Sequence, residues 1–91
     1  MNFDKNLEIL ENEVLKLLDV LEGYITYDDE KQLREFISHN ECGLAYEEII
    51  ETINFHSIPI SLDCFNQIIK VGAMMDYNEG SWSKLKHLIS K

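Results

Sequence analysis

Apolar residues return every three or four positions along most of this chain, the spacing of a helix face rather than of a strand. Leu7, Leu10, Val14, Leu17, Leu18 and Leu21 form the first such stripe, with Asp4 placed to cap its start. Ile9, Leu15 and Val20 widen it, which predicts a helix embraced by neighbours on more than one side. Gly23 stands where a helix wants a residue of positive φ just past its end. Thr26 then reads as the cap of a short second helix that buries Leu33, Phe36 and Ile37, and Asn40 either ends that helix or opens the next.

A third helix is predicted from about Glu41 to Phe55, with Tyr46, Ile49, Ile50 and Ile53 facing inward. Pro59 stops it and pushes Ile58 into an extended conformation. Ser61 caps a fourth helix, and Ile60 and Phe65 occupy the two positions of a hydrophobic staple. Phe65, Ile68, Ile69, Gly72 and Met75 make the apolar side of that helix. Asp76 to Gly80 reads as a turn by composition, and Ser81 as the cap of a last helix with Trp82, Leu85, Leu88 and Ile89 inward. No polar–apolar alternation lasts long enough for a strand. The pattern predicts an all-α protein, one domain over residues 1–91, built as a single compact bundle of about five short antiparallel helices.

Composition agrees with a folded domain: 91 residues, 45% of them apolar. Charge adds more. Seventeen acids against eight bases leave a net charge of −9. Residues 1–63 carry −11 of it, whereas residues 64–91 carry +2. Such a surface repels nucleic acid and anionic membranes and steers basic partners toward itself, so neither nucleic acid nor membrane is an expected direct partner. Met1-Asn2-Phe3-Asp4 lacks the basic start of a secretory signal. Cys42 and Cys64 show no paired spacing, so a reduced, cytoplasmic setting with free thiols is expected.

Motifs for catalysis are missing where they would be needed. His39 and Cys42 are the closest Cys/His pair, without an elbow, a glycine-rich loop or a third orienting group. His39, His56 and His87 with the two cysteines lack the paired spacing of metal sites. The stretch from Asp76 resembles the start of a calcium loop, but Ser81 and His87 stand where Gly and Glu are required. No enzyme activity, metal or cofactor is expected.

What remains is a set of carboxylates on neighbouring helices: Glu41, Glu47, Glu48 and Glu51 on the third, Asp28, Asp29 and Glu30 at the start of the second. Each like-charged pair one turn apart costs a few tenths of a kcal/mol, roughly, which a basic partner would relieve.

Several stretches also carry a family resemblance. Leu18-Asp19-Val20-Leu21-Glu22-Gly23-Tyr24-Ile25, Glu41-Cys42-Gly43-Leu44-Ala45-Tyr46-Glu47, Ile58-Pro59-Ile60-Ser61, Met74-Met75 and Trp82-Ser83-Lys84-Leu85 follow one another in order over nearly the whole chain. In this the chain resembles the MafI-type immunity proteins, small antidotes to bacterial polymorphic and contact-dependent growth-inhibition toxins. The resemblance implies a helical inhibitor that binds one cognate toxin C-terminal domain, often a nuclease. Joined to the charge pattern, it predicts that Glu41, Glu47, Glu48, Glu51, Asp28, Asp29 and Glu30 cover a basic surface on the toxin. Tyr24, Tyr27 or Tyr77 would supply the apolar anchor. The rival reading is a protein-interaction module or homodimeric regulatory subunit, with the apolar surplus of the first helix as its dimer seam.

Overall fold

The computed structural model describes residues 2–90, and side chains from residue 7 onward. It contains five α-helices and no strand among the described residues: α1 (Asn2–Leu17), α2 (Tyr27–Ser38), α3 (Cys42–His56), α4 (Leu62–Met74) and the single turn α5 (Glu79–Trp82). Two 3₁₀ segments, Leu18–Leu21 and Ser83–Leu88, extend α1 and α5. The predicted all-helical fold is therefore the fold observed. No helix among the described residues is long and apolar enough to cross a membrane.

Helix α3 is the hub. It packs on α1, α2, α5 and the terminal 3₁₀ segment, while α1 lies against α2, α3 and α4. Cys42, Ala45, Tyr46, Ile49, Ile50 and Ile53 recur at three- and four-residue spacing on its inner face, and all six are buried. Val14, Leu17, Leu21, Ile68, Val71 and Leu85 complete the centre of the core from the other elements.

Local chemistry sets the helix boundaries. The hydroxyls of Thr26 and Ser61 accept from the backbone N–H of Asp29 (3.1 Å) and Cys64 (3.0 Å), each satisfying one orphan donor of a first turn. Ile60 and Phe65, the expected staple pair, are both buried. Three helices end in the same way. Asn40, Ser57 and Asp76 adopt left-handed φ of 63°, 50° and 63°. The next residue's N–H then reaches back five positions: Glu41 to Phe36 (2.8 Å), Ile58 to Ile53 (3.0 Å) and Tyr77 to Gly72 (2.9 Å). Glycine takes this conformation only at Gly23 (φ 88°), after the first 3₁₀ segment.

The structure corrects some expectations at the ends. Helix α1 begins at Asn2, so Asp4 lies within it, and the Asp4 side chain as a cap falls outside the described residues. Ile9 is exposed rather than embraced, although Leu15 and Val20 do pack against the core. The last helix is capped by Asn78, not Ser81. Asn78 is extended and its side-chain oxygen accepts from Gly80 N–H at 3.0 Å. Ser81 sits inside the turn, its hydroxyl 3.0 Å from the Tyr46 hydroxyl and 2.9 Å from the Asn78 carbonyl. Beyond Trp82 the helix tightens to 3₁₀, and the chain closes beside Ile60. There Ile60 N–H donates to Leu88 (3.0 Å) and Ser90 N–H to Ile60 (2.8 Å).

One carboxylate is part of this frame. Glu13 on α1 is buried against α4, where Gln67 Nε2 donates to it at 2.6 Å and Lys70 Nζ lies at 3.2 Å, with Lys16 at 3.3 Å on its own helix. The Gln67 hydrogen bond first, then the two lysines, hold its pKa down at about 2.

Candidate functional site

The acids singled out from the sequence lie along α3 and the start of α2, and none of the seven is buried. Their placement on α2 has a local cause. Once Thr26 caps the helix, Asp28, Asp29 and Glu30 fall in its first turn, where the unpaired N–H groups and the dipole favour negative charge. Glu30 also pairs with Arg34 at 3.0 Å, one turn on, in an exposed contact worth about 0.3–0.5 kcal/mol. Glu41 precedes α3 and makes no capping bond with its side chain.

On α3 the acids diverge to two sides. Glu47 and Glu51 line a shallow cleft between α3 and the C-terminal elements, together with Tyr46, Tyr77, Ser81 and Lys84. Here the molecule meets their charge itself. Lys84 Nζ lies 2.9 Å from Glu51, and the Tyr77 hydroxyl donates a short hydrogen bond to Glu47. That bond, with burial and the carboxylate's charge, pushes the Tyr77 pKa up to about 12. The Tyr77 ring packs on Tyr46 with centroids 4.7 Å apart. Tyr77 is thus built into the fold and is not an exposed anchor.

Glu48 turns the other way, into a groove of about 320 Å³ between α2 and α3. Asp29 reaches the same groove from α2. Ile25, Leu33 and Phe36 supply its apolar lining, Gln32 and Thr52 its neutral polar groups, and His56 an imidazole. Neither Asp29 nor Glu48 has an ion-pair partner among the described residues.

Both tyrosines expected near this surface are open to solvent, Tyr27 strongly so at 80% and Tyr24 at 44%. Neither lines the groove; Ile25 between them does. Two exposed apolar residues of α3 escaped the sequence reading. Phe55 is 82% exposed and Leu44 is 49% exposed. The signal was present: at 100° per residue Phe55 lies about 200° from Ile53, on the side opposite the core. Leu44, Glu48, Glu51 and Phe55 follow at spacings of four, three and four, a second stripe on the outer face.

Elsewhere the chemistry is quiet. Cys42 is buried and Cys64 half-buried, both as free thiols, and burial pushes both thiols up, opposite to an activated nucleophile. Among the described residues no three His, Cys, Asp or Glu side chains gather as a metal site would require. No family model, curated protein or solved structure matches this chain.

Proposed function

We propose that this protein is an immunity protein, which binds a cognate bacterial toxin domain of basic surface, a nuclease by class, and neutralises it by covering the groove that its substrate would enter. The observation that carries this reading is the outward placement of Asp28, Asp29, Glu30, Glu47, Glu48 and Glu51 on two adjacent helices, with Glu41 just before the second. A polyanionic helix pair competes with nucleic acid for the same cations, and opposite charge across an interface speeds encounter by about 10–10³-fold at low salt. Tyr24 and Tyr27, at the head of α2, offer aromatic surface beside the charge, and Phe55 offers it on α3. The sequence resemblance to MafI-type immunity proteins points the same way. No catalytic step belongs to the chain in this reading, and the setting is cytoplasmic.

Co-expression with the C-terminal domain of the toxin encoded immediately upstream tests the reading. The expected result is cell survival and a complex that co-purifies through a tag on one partner. A harmless neighbour with nothing captured would remove the immunity role. The double variant Glu47→Lys/Glu51→Lys is expected to fold and to bind more weakly by calorimetry. A homodimeric module is the second reading. Among the described side chains of α1, Ile9, 46% exposed, is the large apolar residue its seam would use.

A further inference from the structure

We infer that the groove between α2 and α3 receives an arginine side chain of a basic partner protein, a role that rests on the function proposed above and specifies the contact at its centre. The groove has two walls of different helices, each contributing one carboxylate, Asp29 from α2 and Glu48 from α3. An apolar ligand would strip water from both without replacing it. An anion would be repelled. A cation with an apolar stem meets both demands: its methylenes cover the partly exposed Ile25 while its charge lies between the carboxylates.

The flat side chain of Phe36 and the neutral Gln32 and Thr52 select arginine over lysine. A guanidinium stacks on an aromatic ring and has five N–H donors to distribute. Two carboxylates and the side-chain oxygens of Gln32 and Thr52 are acceptors for them. A lysine ammonium is more strongly hydrated and has no face to stack. A volume of about 320 Å³ suits one such side chain with its water.

The occupant is foreign to the chain. Its single arginine, Arg34, is already paired with Glu30 at 3.0 Å, and Lys84, a base that reaches an acid of α3, is committed to Glu51 on the other side. The contrast with Glu47 and Glu51 matters here. Those carboxylates have partners within the molecule, and Asp29 and Glu48 have none among the described residues.

The test uses the full chain, ¹⁵N-labelled, titrated in NMR with N-acetyl-arginine amide and, separately, with N-acetyl-citrulline amide, its neutral isostere. Arginine amide is expected to shift the backbone amides of Asp29, Phe36, Glu48 and Thr52, and citrulline amide to leave them in place. Binding should weaken by about tenfold or more in Asp29→Asn/Glu48→Gln and be kept in Glu8→Gln/Asp63→Asn, exposed acids outside the groove. It should also weaken as the Debye length falls from about 30 Å at 0.01 M salt to about 8 Å at 0.15 M. Equal shifts from citrulline amide, shifts scattered over the whole acidic surface, or no shift at all would each overturn the inference. So would concentration-dependent shifts at these amides without any arginine added, which would mark a second copy as the occupant. Failure of the immunity reading looks different: the groove binds arginine amide, but no neighbouring domain is captured. If a domain is captured and Asp29→Asn/Glu48→Gln captures it equally well, the groove loses its role and the immunity reading stands.

Discussion

The two sides of α3 carry the same kind of charge and treat it differently. Toward the C-terminal elements, Glu47 and Glu51 are met by Tyr77 and Lys84, over a layer where Tyr46, Tyr77, Gly72 and Trp82 interlock. Toward α2, Asp29 and Glu48 face a groove where Ile25 and Phe36 are only partly covered and His56 also lines the wall, with no ion pair to either acid among the described residues. One side meets its acids from within the chain, and the other leaves them without an ion-pair partner among the described residues. Exposure alone does not distinguish these acids, since all four are exposed. The distinction lies in their partners.

Tyr46 is fully buried, stacks on Tyr77 and meets Ser81 through its hydroxyl. Tyr46→Ala is expected to cost about 3–5 kcal/mol in urea unfolding. Phe36→Ala, on the half-covered floor of the open groove, should cost clearly less, because less of its surface leaves water on folding. Equal losses would mean that the groove is as much a part of the core as the other side.

Gly72→Ala probes the packed side by addition. A Cβ there would lie 2.5 Å from the Tyr46 hydroxyl and 2.8 Å from the Trp82 ring. A cost of about 1–3 kcal/mol is expected from the denaturation midpoint, with the arginine response of the groove retained. Loss of that response along with stability would show that the two sides are coupled.

Glu13 supplies the limiting case of an acid used by the fold. Its pKa is lowered from 4.5 to about 2 by Gln67, Lys70 and Lys16, so its contribution is complete above about pH 4.5 and is lost as pH falls toward 2. Thermal unfolding should show stability declining through that window, and Glu13→Gln should flatten the decline while lowering stability at neutral pH. An unchanged acid profile would contradict the role given to this carboxylate. The smallest expected effect belongs to Asp29→Asn/Glu48→Gln. Its stability at neutral pH should fall by no more than about 1 kcal/mol, the share of the α2 dipole at Asp29, since neither group has an ion-pair partner among the described residues. A large loss would place both acids among the structural ones.

Much of the fold was legible locally. Thr26 and Ser61 cap the helices they were expected to cap, Gly23 turns left-handed after the first helical stretch, and the stripe from Tyr46 to Ile53 is the buried face of α3. The misread last cap shows where local reading ends. Asn78 and Ser81 are both good capping residues, and Ser81 is drawn inward by Tyr46, 35 positions earlier. The candidate site was legible as composition, in the acids of α2 and α3, but its division was not. Phe55 and Leu44 lie on the outer face of α3, where the spacing of the core stripe says nothing of apolar surface.

Residues read in order are enough to say that this chain makes helices, where most of them start and stop, which stripe of each is apolar and that its first two-thirds are strongly acidic. These depend on residues within about one turn of each other, where backbone hydrogen bonding, capping and periodicity act. Tertiary structure alone decided which acids are used and which are left over. Glu13 finds Gln67 and Lys70 more than fifty positions away, Glu51 finds Lys84 and Glu47 finds Tyr77 some thirty away, while Asp29 and Glu48 meet across a groove that exists only when α2 packs on α3. A carboxylate's neighbours are set by how helices cross, and no periodicity within one helix carries that information.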